Sequence, residues 1–181
     1  MSSTSEAVGT VNAARAAVRT RVVAIERTPR DAANSSVSRP RWSRLMLATE
    51  TLFRNHLALS TTDFDAWLEL IHDDILLEFP YAKSAGNPTS MQGKAVVSEG
   101  VRAFFKQVPD LRFTNPTIYG SADPQQGFAT YEVDTIVPAT GRRYAQKYIA
   151  HFRITEGLLS YIAEYYDPVQ LVNAFQLPVL M

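Results

Sequence analysis

The second half of the chain constrains the fold most, because after Pro109 its apolar and polar residues alternate with a period of two. Four segments show this pattern: LRFTNPTIYGSAD, GFATYEVDTIVPATG, RRYAQKYIAHFRITEG and LLSYIAEYYDP. Such alternation is typical of strands that bury one face. The separators DPQQG, ATG and TEG are short and contain glycine, which indicates tight hairpin turns. We therefore predict four consecutive strands that pair antiparallel.

The part of the chain before these strands shows helical periodicity instead. Residues 41–60 place apolar side chains at close to helical spacing, which predicts a long first helix. Residues 61–74 start with Thr62 or Asp63 as a candidate N-cap and predict a second, short helix. Residues 94–110 predict a third helix. Its predicted inner side consists of Val97, Val101, Phe104 and Phe105.

Three further segments complete this pattern. Residues 75–82, ILLEFPYA, predict a strand that ends near Pro80. The next segment, KSAGNPTSMQG, is predicted to contain no regular element because of its glycine, proline and asparagine. The C-terminal VQLVNAFQLPVLM is either a last short helix or an irregular apolar plug. Helices followed by strands, without βαβ alternation, indicate the α+β class, and a bent sheet packed on two or three helices leaves a pocket that is the default ligand site.

Composition excludes several kinds of function. The chain has no cysteine, and its histidines (His56, His72 and His151) are too scattered to resemble zinc ligands. It has no run of eighteen apolar residues, so no membrane span is predicted. Residues 46–181 contain ten basic against fifteen acidic residues, which argues against a nucleic-acid-binding domain. We expect no metal, no membrane and no nucleic acid among its partners.

The first 45 residues differ from the rest, with eight arginines against three acidic residues. Three interpretations remain open: a flexible tail, an amphipathic transit peptide, or translated upstream sequence ahead of a start at Met46. We favour a disordered or weakly helical tail, residues 1–41, followed by one domain, residues 42–181. No apolar segment follows a basic one in the manner of a secretory signal, and we expect a cytoplasmic protein.

One carboxylate stands out near the end of the chain. The segment LLSYIAEYYDPVQL, residues 158–171, starts as a buried strand interrupted only by Ser160 and Glu164. A scaffold strand would carry valine or isoleucine at position 164, because an unpaired buried charge costs several kcal/mol or shifts its pKa. The Glu164 face of this strand therefore looks either at water or into a cavity that uses the carboxylate.

The order of elements resembles the nuclear-transport-factor-2-like fold in its SnoaL-like branch. The segments that carry the resemblance are DFDAWLELIHDDILLEFPY, MQGKAVVSEGVRAFF and GRRYAQKYIAHFRITEGLLSYIAEYYDP. The closing EYYDP and apolar helix are similar to SnoaL-like and phenazine-biosynthesis A/B-like proteins. The resemblance covers residues 46–175. It implies a cone-shaped α+β barrel, usually a homodimer, whose pocket performs acid–base chemistry without metal or organic cofactor; members include polyketide cyclases, ketosteroid isomerase, epoxide hydrolases, dehydratases and non-catalytic binding modules.

The catalytic residues of ketosteroid isomerase do not carry over to this chain. That enzyme uses an aspartate base and an oxyanion hole made of a tyrosine and a protonated aspartate. Matching LEFP to its base-carrying strand puts Phe79 at the base position. The protonated aspartate corresponds to Ala150 and the oxyanion tyrosine to Asn55. We therefore do not expect a ketosteroid isomerase.

The same matching assigns the faces of the strands. The side chains expected to face the pocket are Leu77, Phe79, Tyr81, Tyr131, Val133, Thr135, Tyr144, Gln146, Tyr148, Ile162, Glu164 and Tyr166. Those expected on the opposite face include Glu78, Glu132, Asp134, Lys147 and His151. Glu164 is then the only strand carboxylate that faces the pocket, where desolvation raises a carboxyl pKa toward neutrality. His151 is expected at a dimer interface.

We predict Glu164 as the catalytic acid–base group, with Tyr148 and His56 as further catalytic residues. The predicted substrate-binding residues are Gln146, Tyr166, Phe79, Tyr81, Trp67, Tyr131 and Asn55. Alternatives remain open for three of these residues. Glu164 can instead pair with an arginine or accept tyrosine hydroxyl groups to hold the sheet, His56 can lie on the helix surface, and Trp67 can be core.

Two hypotheses on function follow. The first is a cofactor-independent enzyme that isomerises, cyclises or dehydrates a carbonyl-bearing cyclic intermediate, for example of secondary metabolism. The second is a non-catalytic module that uses the same cone to bind a ligand or to assemble. A cone filled by side chains, without a cavity next to Glu164, would favour the second hypothesis.

Overall fold

The structure, a computed structural model, describes residues 41–178. The predicted tail, residues 1–41, lies outside the described residues except for Arg41. The described part contains four α-helices: α1 is Arg41–Leu59, α2 is Phe64–Leu68, α3 is Lys94–Gln107 and α4 is Pro168–Phe175. The three predicted helices are confirmed, and the C-terminal segment is a helix. None of these helices combines the length and the apolar character needed to cross a membrane.

Two aspartates fix the starts of the short helices. The Asp63 side chain accepts a hydrogen bond from the backbone N–H of Ala66 and caps α2. Asp167 caps α4 in the same way through the N–H of Val169. Such caps satisfy N–H groups that have no partner inside the helix. The cap at Asp167 places α4 directly after the strand that carries Glu164.

Within residues 41–178, six strands form one sheet in the order β2-β1-β6-β5-β4-β3. Their bounds are Ile71–Glu78 for β1, Ser90–Gln92 for β2, Thr114–Gly120 for β3, Gln126–Val137 for β4, Arg142–Thr155 for β5 and Leu158–Tyr165 for β6. Only the β1–β6 pair is parallel. The four predicted strands and the α+β class are confirmed.

A tight turn joins β5 and β6. Only Glu156 and Gly157 connect the two strands, and both have positive φ angles, 53° and 81°. Positive φ at both central residues is typical of a type I′ turn, whose twist matches that of paired strands. The turn pairs Thr155 with Leu158 and Ile154 with Leu159. The register then shifts by one residue at Ser160, and only after this shift does Ala150 pair with Glu164.

The first part of the sheet differs from the prediction. Strand β1 begins at Ile71, in a segment that was assigned to the second helix, and the loop 83–93 contains strand β2. Strand β2 pairs with β1 through Leu77 and Met91. A strand of three residues is defined by this pairing across the sheet and not by its own sequence, so periodicity alone does not indicate it.

The core lies between the concave side of the sheet and the helices. Phe53 of α1 stacks on Phe152 of β5 with ring centroids 4.2 Å apart, and both are fully buried. Burying a side chain of this size contributes roughly 1.5–3 kcal/mol of transfer free energy. Trp67 is 2% exposed and packs against His56 and Phe64. A cavity remains between the sheet and the helices.

Candidate active site

The cavity has a volume of about 370 Å³, which lies in the usual range of small-molecule sites. Its wall is formed by the concave side of the sheet and by residues of all four helices, and it is mostly apolar and aromatic. The polar side chains that line it are His56, Ser60, Asn87, Gln107, Tyr144, Tyr148, Glu164 and Tyr166. Among residues 41–178, Glu164 is the only carboxylate in the wall. The predicted face of β6 is confirmed, since Ile162 and Tyr166 line the cavity with it.

Glu164 is held by a tyrosine from two strands away. The hydroxyl of Tyr131 on β4 donates a hydrogen bond to Oε1 of Glu164. Burial raises the pKa of Glu164, and the hydrogen bond from Tyr131 acts in the opposite direction. The predicted direction of the shift is confirmed, and so is the alternative that Glu164 accepts a tyrosine hydroxyl. The two properties are compatible, because one carboxylate oxygen accepts the hydrogen bond from Tyr131 and the side chain still lines the cavity.

Three tyrosines form a hydrogen-bonding wall beside the carboxylate. The Tyr131 and Tyr148 rings stack with centroids 5.0 Å apart and planes 12° from parallel. The hydroxyl oxygens of Tyr144 and Tyr148 are 2.7 Å apart. Burial raises the pKa of all three hydroxyls above the ordinary value, so they stay protonated at neutral pH. Whichever of Tyr144 and Tyr148 accepts in their mutual bond keeps its own proton for another acceptor.

His56 points inward from α1 and is neutral. Its side chain is 7% exposed and lines the cavity, so the alternative of a helix-surface histidine is wrong. Trp67 Nε1 donates to His56 Nδ1 over 2.9 Å. Since an indole N–H can only donate, Nδ1 carries no proton, and the neutral ring holds its proton on Nε2. Burial lowers the pKa of His56 to about 4, so at neutral pH this residue can donate an N–H but does not act as an acid.

Two of the predicted substrate-binding residues, Tyr81 and Gln146, do not line the cavity. Tyr81 is 56% exposed and packs against Tyr165, with ring centroids 5.7 Å apart, because β1 ends at Glu78 and the chain turns away. The side-chain amide of Gln146 hydrogen-bonds the backbone of Asp167, donating to its carbonyl oxygen and accepting from its N–H. Tyr81 and Gln146 were therefore wrongly assigned to the pocket.

The remaining predictions divide into two groups. Trp67, Phe79, Tyr148 and Tyr166 line the cavity. Tyr131 and Asn55 are buried but do not line it. Tyr131 contacts the site through its hydrogen bond to Glu164 and its stacking on Tyr148. Trp67 is also core, so that alternative describes it equally well.

Sequence reasoning missed three lining residues in the segment 83–93. Asn87, Pro88 and Met91 line the cavity, and whereas burial raises the pKa of the Tyr166 hydroxyl, Asn87 acts to lower it. Gly86 brings Asn87 into place with a φ of 73°, a left-handed conformation that favours glycine. The Gly-Asn pair was a turn signal, but it does not indicate which way the asparagine points. Within residues 41–178, no group of three His, Asp or Glu side chains could hold a metal ion.

Comparisons with known proteins identify what this chain is similar to. A sequence profile of the SnoaL-like domain matches residues 51–162. An uncharacterized protein of Bacillus subtilis, YesE, is 33% identical over 128 residues, which cover 71% of this chain and 86% of that protein. An uncharacterized PhzA/B-like protein of Pseudomonas aeruginosa is 29% identical over 129 residues, covering 71% and 90%. The crystal structure of a Bacillus subtilis protein described as a candidate isomerase superposes with a TM-score of 0.68 at 30% identity, covering 76% of this chain and 99% of that one.

Proposed function

Since this chain belongs to the SnoaL-like domain family, we propose that it is a cofactor-independent acid–base enzyme. Its substrate is a small cyclic molecule with a carbonyl group, and its reaction is an isomerisation, a cyclisation or a dehydration. The observation that carries the proposal is the Glu164 carboxylate, which lines an otherwise apolar, aromatic cavity with one oxygen bonded to Tyr131.

Glu164 acts first as the general base. The ionised carboxylate removes a proton from the carbon next to the substrate carbonyl, and the electron pair of that C–H bond moves into an enolate. A base is most effective when its pKa lies near the working pH, and burial moves the pKa of Glu164 in that direction. The hydrogen bond from Tyr131 favours the ionised form and acts against this rise.

Neutral hydrogen-bond donors stabilise the enolate oxygen. The structure offers two kinds at the cavity wall: Nε2–H of His56 and the free hydroxyl proton of the Tyr144–Tyr148 pair. Fixed donors in a water-poor site stabilise a developing oxyanion without reorganising. The protonated Glu164 then returns its proton, either to another carbon in an isomerisation or to a departing hydroxyl group in a dehydration.

The binding-module alternative has weaker support. Its main argument is that Phe79, Ala150 and Asn55 occupy the positions of the ketosteroid isomerase catalytic residues. A module that only assembles has no need of an open cavity beside a buried carboxylate, and a volume of about 370 Å³ adjoins Glu164. This observation argues against a module that only assembles.

Exchange of substrate protons with D₂O separates the two functions without knowledge of the natural substrate. We would incubate the protein with a panel of cyclic ketones, enones and 1,3-diketones in D₂O and follow loss of the α-proton signals by NMR. An enzyme accelerates exchange for at least one compound. A binding module broadens or shifts the signals of its ligand while the exchange rate stays at that of buffer.

We also propose that the chain forms a homodimer through the outer face of the sheet. Phe128 and His151 are opposite each other on β4 and β5, and their rings stack with centroids 4.8 Å apart. Two exposed apolar side chains lie next to this pair on the same face: Tyr119, opposite Phe128 on β3, and Ile149 on β5. A patch of this kind is typical of a protein interface.

A further inference from the structure

A second cleft lies on the surface beside the cavity and carries only positive charge. It has a volume of about 360 Å³ and is lined by the end of α1, by α2, by the last turn of α3 and by the segment that follows α3. Its charged side chains are Arg102, Lys106 and Arg112. Within residues 41–178, no carboxylate lines the cleft and none of these three cations forms an ion pair.

Two of the cations are held in place by other side chains or by the backbone. The Arg102 guanidinium lies over the Phe64 ring, 4.1 Å from its centroid, and Phe64 packs on Trp67 at 4.8 Å. Stacking covers a guanidinium face and leaves its N–H groups pointing outward in the plane. Arg112 Nη1 donates to the carbonyl oxygens of Pro109 and Leu111, at 3.1 Å and 2.6 Å. Both guanidinium groups are therefore pre-ordered, which lowers the entropy lost on binding.

The cleft adjoins the cavity. Ser60 and Phe105 line both spaces. The same row of side chains continues inward, because Trp67, on which Phe64 packs, donates to His56 in the cavity wall. Ser60 and Phe105 therefore lie between the cavity and the cleft, and a ligand that reaches both spaces has to pass these two side chains.

The charges of the two spaces are opposite. Inside the cavity the ionisable group is Glu164, so a negatively charged group of a ligand is repelled there. In the cleft three cations without carboxylate partners attract such a group. Oxyanions suit these residues, since guanidinium N–H groups bind carboxylate, phosphate and sulfonate oxygens with charge-assisted hydrogen bonds.

We propose that the cleft is an anion subsite for the same ligand that occupies the cavity. The substrate is then an amphipathic molecule: its apolar, carbonyl-bearing ring lies against Glu164, and a carboxylate, phosphate or sulfonate group lies between Arg102, Lys106 and Arg112. This assignment rests on the small-molecule cavity of the proposed function and adds the charge of the substrate to it.

Two fluorescent probes with the same ring system test the subsite. The anionic probe is 8-anilinonaphthalene-1-sulfonate, and the neutral probe is N-phenyl-1-naphthylamine, which lacks only the sulfonate. Dissociation constants are measured for the wild type and for Arg102→Gln/Lys106→Gln/Arg112→Gln. The matched control is Lys83→Gln/Lys94→Gln/Lys147→Gln, which removes the same charge from residues that line neither space.

The triple cleft variant is expected to lose affinity for the sulfonate about tenfold or more, while the neutral probe binds as before. The control variant should keep the wild-type preference for the anionic probe over the neutral one. In the wild type, raising the salt concentration should weaken the binding of the anionic probe only. Because Arg112 also bonds the backbone, the double variant Arg102→Gln/Lys106→Gln serves if the triple variant unfolds.

Two results would overturn the subsite, and they have different consequences. If the neutral probe binds but the cleft variants leave the preference for sulfonate unchanged, the cleft is not an anion subsite, and the proposed enzyme stands. If neither probe binds the wild type, the cavity itself takes no ligand, and the subsite and the proposed function fail together.

Discussion

The hydroxyl of Tyr131 on β4 donates a hydrogen bond to the Glu164 carboxylate on β6, across the strand that lies between them. Burial and this bond act in opposite directions on the pKa of Glu164. A single tyrosine that does not line the cavity therefore adjusts the proton affinity of the group that does.

Replacing Tyr131 by phenylalanine should raise the pKa of Glu164 further, because the bond that favours the ionised form is lost while burial remains. The measurement is an NMR titration of the glutamate carboxyl carbons. Tyr161→Phe is the matched control, since the Tyr161 hydroxyl bonds Glu78 on the outer face of the sheet. If the pKa of Glu164 is the same in the wild type and in Tyr131→Phe, Tyr131 does not tune the carboxylate.

Glu164→Gln should change the pH dependence of stability. The folded chain holds the Glu164 proton more tightly than the unfolded chain does, because the pKa is raised on folding. Its contribution to stability is therefore complete below the ordinary glutamate pKa, about 4.3, and is lost as the pH rises through the folded value. In urea unfolding, the free energy of unfolding of the variant relative to that of the wild type should increase as the pH rises from 4 to 8. If the difference in unfolding free energy between the variant and the wild type is constant over this range, the pKa of Glu164 is not raised on folding.

His56 should contribute a slope of opposite sign. The unfolded chain binds the histidine proton near pH 6.5, whereas folded His56 binds it only near pH 4. Between these values the unfolded state holds more protons, so stability decreases as the pH falls. The full difference is on the order of 3 kcal/mol. His56→Gln should lack this part of the slope, and His72→Gln, which leaves His56 in place, should retain it.

Trp67→Phe should remove the preference of His56 for the tautomer that carries its proton on Nε2. The variant removes the indole N–H that donates to Nδ1 and leaves a buried acceptor without a partner, at a cost of about 1–3 kcal/mol in unfolding free energy. In ¹⁵N–¹H spectra at neutral pH, the wild type should show a protonated Nε2 and an unprotonated Nδ1. The same spectrum from Trp67→Phe should show a mixture of tautomers, and an unchanged pure Nε2–H form would contradict the role given to Trp67.

Phe128→Glu tests the proposed dimer. A charge placed in the exposed apolar patch on the outer face costs free energy if that patch is covered by a second chain. Sedimentation velocity should show a dimer for the wild type and a monomer for the variant. Val169→Glu is the control, because Val169 is equally apolar and exposed but lies on α4. A wild-type monomer would contradict the proposal.

The residues that sequence predicted correctly are those fixed by local periodicity. Alternation along β6 puts Glu164 and Ile162 on one face. The two-residue turn at Glu156 sets only the first pairs of the hairpin, and the register shifts by one residue before Ile162 and Glu164. The errors arise at residues whose surroundings are determined by a distant part of the chain. Gln146 has the right parity for the cavity, but its amide is taken by the Asp167 backbone, 21 residues later. Tyr81 continues the β1 pattern, but the chain turns after Glu78.

His56 shows a different limit of sequence reasoning. Its place on α1 was compatible with both the cavity and the helix surface, since helical spacing around Phe53 and Leu57 leaves it at the edge of the apolar face. The deciding contact is the Trp67 indole, 11 residues away on α2. That contact depends on how two helices pack, which no pattern within either helix specifies.

The most direct test of the central claim is the α-proton exchange rate in D₂O for Glu164→Gln, with Glu132→Gln as the matched control. Glu132 faces the opposite side of the sheet, where it pairs with Lys147. If Glu164 is the base, its variant should lose on the order of 10²–10⁴-fold in exchange rate, and the control should exchange like the wild type. A folded Glu164→Gln protein that exchanges as fast as the wild type would contradict the assignment of Glu164 as the catalytic base.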